Sequence, residues 1–449
     1  MPAFNSLTSL SLKADIITSP QNFFGLLILG ILLGIISGIY PAFFISGFNP
    51  SEILKSGKAK VLKGNLLRKI LIVVQFTISI AMIFGTIIVI QQLMYAKNKD
   101  LGYDEENLMV ISINDTLTDR QIPAIKNELT AHSDIISVAS SFEVPGETLN
   151  RFPASVEAEN GEFQQISCQF MQIDFEYLET LKMVLLEGRN FERGSDTSWF
   201  QSALINKAAA EQFGWAESVG KRVEAFRDSN DVATYMNVIG VVEDFHTISV
   251  RDKIHPILIY VIPENNNICY GGNKRLFVRM KGKNFSKTVD YIKERWTEFD
   301  SNPIQYLFLD EELNVLYESE EKLIRLCGYF TFITIFIACL GLFGLAAFTA
   351  ERRTKEIGVR KVLGSSVIRI AALLSKDFAI LVLVSNVIAL PIAYYVMNKW
   401  LQNFVYRIDI SFWTFILSGL LALLIAIFTI SFQTIRAANS NPIEALKYE

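Results

Sequence analysis

The chain has 449 residues, 51% of them hydrophobic, and a positive mean hydropathy. Its apolar residues gather into long runs, which excludes an ordinary soluble globular protein and leaves a membrane protein with a polar insert. The formal charge of −4 is segregated, with basic residues crowding two short loops and the tail, so it bears on topology and gives no reason to expect a nucleic-acid partner.

Taken in order, residues 1–21 are mixed and polar, and Lys13 is their only basic residue. A first span is predicted over 22–46. It carries Gly30, Gly34 and Gly38 at four-residue spacing, which puts three glycines on one helix face and allows close helix approach. No basic segment precedes it and its apolar run is long, so it is not expected to be a cleaved signal peptide. A loop at 47–69 follows, with Lys55, Lys58, Lys60, Lys63, Arg68 and Lys69. A second span and stalk are predicted over 70–96. A polar block then covers 97–322, enough for a folded domain with its own core. The third span is 323–350, the fourth 378–397 and the fifth 412–435. Between them lie a basic segment at 351–377 and a loop at 398–411, and a tail at 436–449 closes the chain. Asn386, in the fourth span, would be costly facing lipid and is expected to face another helix. Trp400 and Trp413 fall where an interfacial aromatic belt would be. The positive-inside rule places the N-terminus and the polar block outside and the C-terminus in the cytoplasm, which an odd number of spans requires.

Within the polar block, 108–113 reads as a strand, 119–131 as a helix and 135–140 as a strand. Residues 276–280, 287–299 and 304–309 repeat that order near the far end. Two such units predict one α+β layer, with the middle inserted as a second lobe. The middle offers strands at 203–205, 238–242 and 257–261 and a helix at 207–213. Helical spacing at 310–322, without Gly or Pro, predicts a helix running into the third span and forming the second stalk. Cys168 and Cys269 lie in this block and have the option of pairing in an oxidising compartment.

The segment 351–364 reads ERRTKEIGVRKVLG. As a loop it is a cytoplasmic topology signal. Ile357, Val359 and Val362 interrupt its charge, however, and an amphipathic docking helix would use them. The tail NPIEALK (441–447) matches NPSEILK (49–55), each following a span, which suggests a duplicated unit. No phosphate-binding loop, nucleophile elbow, HExxH or paired CxxC is present. His132, His246 and His255 match no metal-ligand spacing. No enzyme activity, metal or cofactor is therefore expected, and energy would come from a partner.

These residues resemble the MacB/FtsX-like permeases of ATP-binding-cassette systems, along essentially the whole chain. ERRTKEIGVRKVLGSS (351–366) is the most specific element. GIYPAFFISGFNPSEILKSG (38–57) resembles the end of a first repeat. LLEGRNF (185–191), ALINKAAAEQFGW (203–215), VVEDFHTISVRDKIHP (241–256) and FLDEELNVLYESEEKL (308–323) resemble the outer core domain. The resemblance implies a multi-pass α-helical membrane protein of about five spans, with one extracytoplasmic α+β domain of two lobes on helical stalks, in a bacterial inner membrane. It implies a permease subunit that couples a separate, dimeric cytoplasmic ATPase to that domain by mechanotransmission, to export or release a hydrophobic, peptide or lipoprotein-like substrate. Arg352, Arg353, Lys355, Glu356, Ile357, Gly358, Arg360 and Lys361 become the ATPase-coupling residues, with Asn441, Pro442, Glu444 and Leu446 of the tail beside them. Long members have two repeats and eight spans. This chain is thus expected to lack most of the first repeat, and to work with a second permease copy or the missing upstream half. Membrane lipids and a periplasmic adaptor or hydrolase are further expected partners. The alternative is a regulatory transmembrane scaffold that switches an outer-side hydrolase or sensor.

Overall fold

A computed structural model of the protein describes residues 20–46, 61–196, 200–227, 233–248, 252–261 and 274–439. Contacts divide the chain into two units. One holds the long apolar helices. The other is Tyr95–Glu318 with Asn403–Arg407.

The chain enters through α1 (Pro20–Ser46) and α2 (Val61–Lys97). The mixed unit opens with β1 (Leu108–Ile113), α3 (Ile122–Thr130) and β2 (Ile135–Ser141). Next come β3 (Arg151–Glu157), β4 (Phe163–Ile173), β5 (Leu185–Gly188), β6 (Ser202–Asn206) and α4 (Lys207–Phe213). β7 (Arg222–Arg227), β8 (Ala233–Val242) and β9 (Ile257–Val261) complete the middle. The unit closes with β10 (Lys274–Met280), α5 (Phe285–Trp296), β11 (Tyr306–Phe308) and α6 (Leu309–Leu316).

One lobe is the four-stranded order β11-β1-β10-β2, every neighbouring pair antiparallel. β1–α3–β2 and β10–α5–β11 are split βαβ units, each with a strand of the other between its own two. β1 is buried on both faces. Met109, Ile111 and Ile113 pack with α3 and α5, while Leu108 and Val110 face a core shared with the middle segment. The other lobe is a ring: β4 pairs β3, then β7, β8, β6 and β9 follow, and β9 pairs β4 again. All six strands feed one core around Val156, Cys168, Ile205 and Met236.

The insertion of one lobe into the other is as the sequence spacing predicts. Two boundaries differ. The helix expected over 119–131 breaks at Gln121, because Pro123 cannot donate to Asp119 and starts a new helix near its first turn instead. The helix expected to run unbroken from 310 into the third span stops at Tyr317, with φ −99° and ψ 1°. Lack of Gly and Pro did not keep it continuous, because Leu309 and Leu313 are committed to the core of the mixed unit.

The helical unit continues with α7 (Glu318–Arg352), α8 (Thr354–Val362), α9 (Val367–Leu401) and α10 (Phe412–Asn439). Four helices among the described residues are long and apolar enough to cross a membrane: Leu66–Lys97, Glu318–Arg352, Val367–Leu401 and Phe412–Ile435. In α1 the apolar segment so described is the shorter Pro20–Ile35. Small residues on one helix face, Ala338 and Ala346 two turns apart on α7 and Ala422 and Ala426 one turn apart on α10, let the helices approach around Phe76, Ile80 and Val382. Side-chain hydroxyls tie helix to helix. Thr86 and Thr331 lie 2.9 Å apart, and Ser385 donates to the Val73 carbonyl at 3.1 Å. Large apolar side chains such as Phe332, Val387 and Phe428 point outward, as they do in helices solvated by lipid.

Candidate functional site

The segment between α7 and α9 folds as a short helix pinned at both ends. Arg353 alone separates α7 from α8, and its guanidinium meets Asp377 of α9 at 3.1 Å. α8 ends in a left-handed cap. Gly364 sits at φ +83°, its N–H donates to the Lys361 carbonyl at 3.1 Å, and the Ser365 N–H donates to the Arg360 carbonyl at 3.0 Å. Glycine takes that φ without strain, so the chain reverses in two residues. Ser366 then caps α9, accepting from the Arg369 N–H at 3.4 Å.

At ~100° per residue, Ile357 lies on the opposite side of α8 from Val359, Val362 and Leu363. The structure follows that arithmetic. Ile357 is 5% exposed and packs against Ile370 and Leu374 of α9. Val359, Val362 and Leu363 are 48%, 67% and 78% exposed, and Ile368 beyond them is 81% exposed. Of the residues expected to dock, Ile357 is the one held against α9 and not on the outer face of α8. Glu356 and Arg360 pair along the helix at 2.8 Å, in the favourable order of charges. Arg352 lies over the Phe348 ring, 4.7 Å from its centroid. Lys361 is on the same helix. Lys355 and Gly358 lie within it; the Lys355 side chain is outside the described residues, as are Asn441, Pro442, Glu444 and Leu446. The outward apolar patch including Leu363 and Ile368 was missed in sequence, because neither residue lies inside the run of charge.

The remaining expected packing residues fall elsewhere. Asn386 faces α10, its amide oxygen lying 2.6 Å from where a Cβ on Gly419 would stand. A Cβ built on Gly30, Gly34 or Gly38 meets no atom within 4 Å.

The mixed unit holds buried polar groups with structural partners. Arg279, 3% exposed, donates to the carbonyls of Glu106 (3.0 Å), Thr180 and Asp104. Burial pushes the Glu143 carboxyl up to about 7, with Glu147 adding to it, although the Gln172 N–H donates to it at 3.0 Å. Burial, and then Lys99, pushes His246 down to about 4, and its ring meets Tyr406 edge-on at 5.2 Å. Burial lowers His255 as well. Cys168 is a buried free thiol, and Cys269 lies outside the described residues. Among the described residues no group of three or more His, Cys, Asp or Glu stands where it could share a metal ion.

Two family models match. Residues 70–261 match the MacB-like periplasmic core domain, and residues 328–442 match the FtsX-like permease C-terminal region. No curated protein matches. Among solved structures, the periplasmic region of MacB from Actinobacillus actinomycetemcomitans is 17% identical, covers 49% of this chain and 97% of its own, and has a TM-score of 0.34. A domain of a putative permease from Porphyromonas gingivalis is 14% identical, with 45% and 90% coverage and a TM-score of 0.32. The extracellular domain of the noncanonic ABC-type transporter YknZ from Gram-positive bacteria is 16% identical, with 44% and 97% coverage and a TM-score of 0.30.

Proposed function

Because this chain belongs to the FtsX-like permeases that carry a MacB-like periplasmic core domain, we propose that it couples a separate cytoplasmic ATPase dimer to events on the outer side of a bacterial inner membrane. The observation that carries this reading is α8, a nine-residue helix with one face anchored on α9, an apolar face turned outward, and the half-buried Arg360 and Lys361 flanking the anchored side. An ATPase groove receiving Val359, Val362 and Leu363 would bury them, and Arg360 and Lys361 would select an acidic rim. Closure of the ATPase dimer on ATP then displaces α8. The ion pair to Asp377, the Ile357 anchor and the left-handed cap leave little slack, so α7 and α9 move with it. Each is 35 residues long, or ~50 Å of continuous helix, long enough to carry displacement across a bilayer core of ~30 Å. The cargo would be hydrophobic, peptide or lipoprotein-like and would be moved or released on the outer side.

The test is co-purification from membranes with the cognate ATPase. Val359→Asp combined with Val362→Asp changes only the exposed face and should abolish association and stimulated ATP hydrolysis, while leaving the melting of the helical unit unchanged. Wild-type association in that variant overturns the proposal.

A further inference from the structure

The helical unit contains a second feature that α8 does not use. Between α2 and α7 lies an open cavity of about 400 Å³, lined by Arg68, Leu71, Ile72 and Gln75 on one side and Gly341, Gly344, Leu345 and Phe348 on the other. A smaller cavity of about 150 Å³ shares Leu345 and Phe348 and adds Lys69, Arg352, Arg353 and Asp377. Phe348 divides the two. Arg68 lies over its ring, 4.4 Å from the centroid, and Arg352 lies 4.7 Å from it.

The pair of cavities has a direction. Along α7, Gly341, Gly344, Leu345, Phe348 and Arg352 face it on successive turns, an axial distance of ~16 Å from apolar floor to basic mouth. At the mouth the single carboxylate, Asp377, is already paired with Arg353 at 3.1 Å. Among the described residues no carboxylate forms an ion pair with Arg68, Lys69 or Arg352. On the floor, a Cβ on Gly344 would meet nothing within 4 Å, and the space a Cβ on Gly341 would take is filled by the Gln75 amide, 2.6 Å away. Gly344 therefore leaves the floor open where a larger side chain would fill it, while Gly341 lets the Gln75 side chain reach across to α7.

We propose that this groove binds one anionic phospholipid. The phosphate sits among Arg68, Lys69 and Arg352, the glycerol esters lie near the Gln75 amide, and one acyl chain lies on Gly344 and Leu345. A guanidinium fork matches phosphate oxygens, and basic pockets between spans suit anionic head groups. A free phosphate has no use for the apolar floor, and a neutral lipid leaves three cations unmatched. The proposal does not depend on the ATPase reading, because it concerns α2 and α7 and leaves the outer face of α8 untouched.

The full chain, in non-ionic detergent, is incubated with phosphatidylglycerol or phosphatidylcholine of the same acyl chains, and retained lipid is counted by native mass spectrometry. The wild type should hold one phosphatidylglycerol per chain with a preference of roughly tenfold or more. Arg68→Gln with Arg352→Gln should bring the two lipids level. Gly344→Leu should lose both lipids with unchanged thermal unfolding. Should Gly344→Leu fail to fold, the charge variant alone decides. Equal retention of both lipids by the wild type, an undiminished preference in the charge variant, or full displacement of the lipid by inorganic phosphate would each overturn the proposal.

Discussion

Arg279 shows what one side chain can hold together. Its guanidinium gathers carbonyls from two loops onto β10 inside the mixed unit. Removing it leaves those acceptors without their donor in a site closed to water. Arg279→Met should therefore cost about 3–5 kcal/mol in a denaturant melt of the full chain, and Arg279→Lys should recover little, since an ammonium cannot make the planar fork. Glu143 makes a pH-dependent prediction. Burial raises its carboxyl from 4.5 to about 7 in the folded state. A raised acid contributes its stability in full below the unfolded value and loses it as pH rises through the folded one, so the loss falls between about pH 4.5 and 7. The wild type should melt lower at pH 8 than at pH 5, by roughly 3 kcal/mol at most, and Glu143→Gln should flatten that difference. Neither role was legible in the sequence. Arg279 reads as one more polar residue in a strand, and nothing local to Glu143 announces that Gln172 and the loop around it enclose the carboxyl.

At the scale of the element, α8 separates an anchored face from the exposed face proposed for docking. Ile357→Ala should cost about 2–4 kcal/mol of local stability by opening a void against Ile370 and Leu374, and should loosen α8 with or without a partner. Val362→Ala removes exposed surface only, so it should leave melting unchanged while weakening ATPase association. The comparison is read by hydrogen exchange of 354–362 alongside co-purification. The segment 351–364 stood out by its charge interrupted by apolar residues, but its two faces follow only once helical phase is applied. The strands divide in a similar way. β6 and β9 are buried on both faces, and their segments 203–205 and 257–261 stand out as short apolar runs. β3 buries one side, β4 is exposed at its start and buried only from Cys168 on, and they carry Pro153, Gln164, Gln165 and Gln169 on runs that look like loop. Their pairing along the whole hairpin was set by the ring, not by local composition.

For the whole molecule, the two-unit division and the four long apolar helices were legible because lipid solvation leaves so coarse a mark on sequence. Topology is the remaining test. Asn160 sits in the exposed turn between β3 and β4, and Leu363 is exposed at the end of α8. In whole cells with an opened outer membrane, a cysteine at 160 should react with an impermeant maleimide and a cysteine at 363 should react only after lysis; the reverse pattern would exclude the proposed orientation. Cys168 is a poor reporter, since burial pushes its thiol up to about 12 and leaves no thiolate to react.

The closed ring of β3, β4 and β6–β9 has a consequence for what the mixed unit can hold on to. Among the described residues those six strands pair round in a ring, and the edges left to the sheet are the three residues of β11, the four of β5 and the part of β2 before Ser141, where it pairs β4. Such a surface offers little backbone for a stray polypeptide to zip onto, which guards against clumping in a crowded compartment. Any client must instead be recognised by side chains and loop tips, so its affinity should depend on particular residues and survive changes to the client's own main-chain amides.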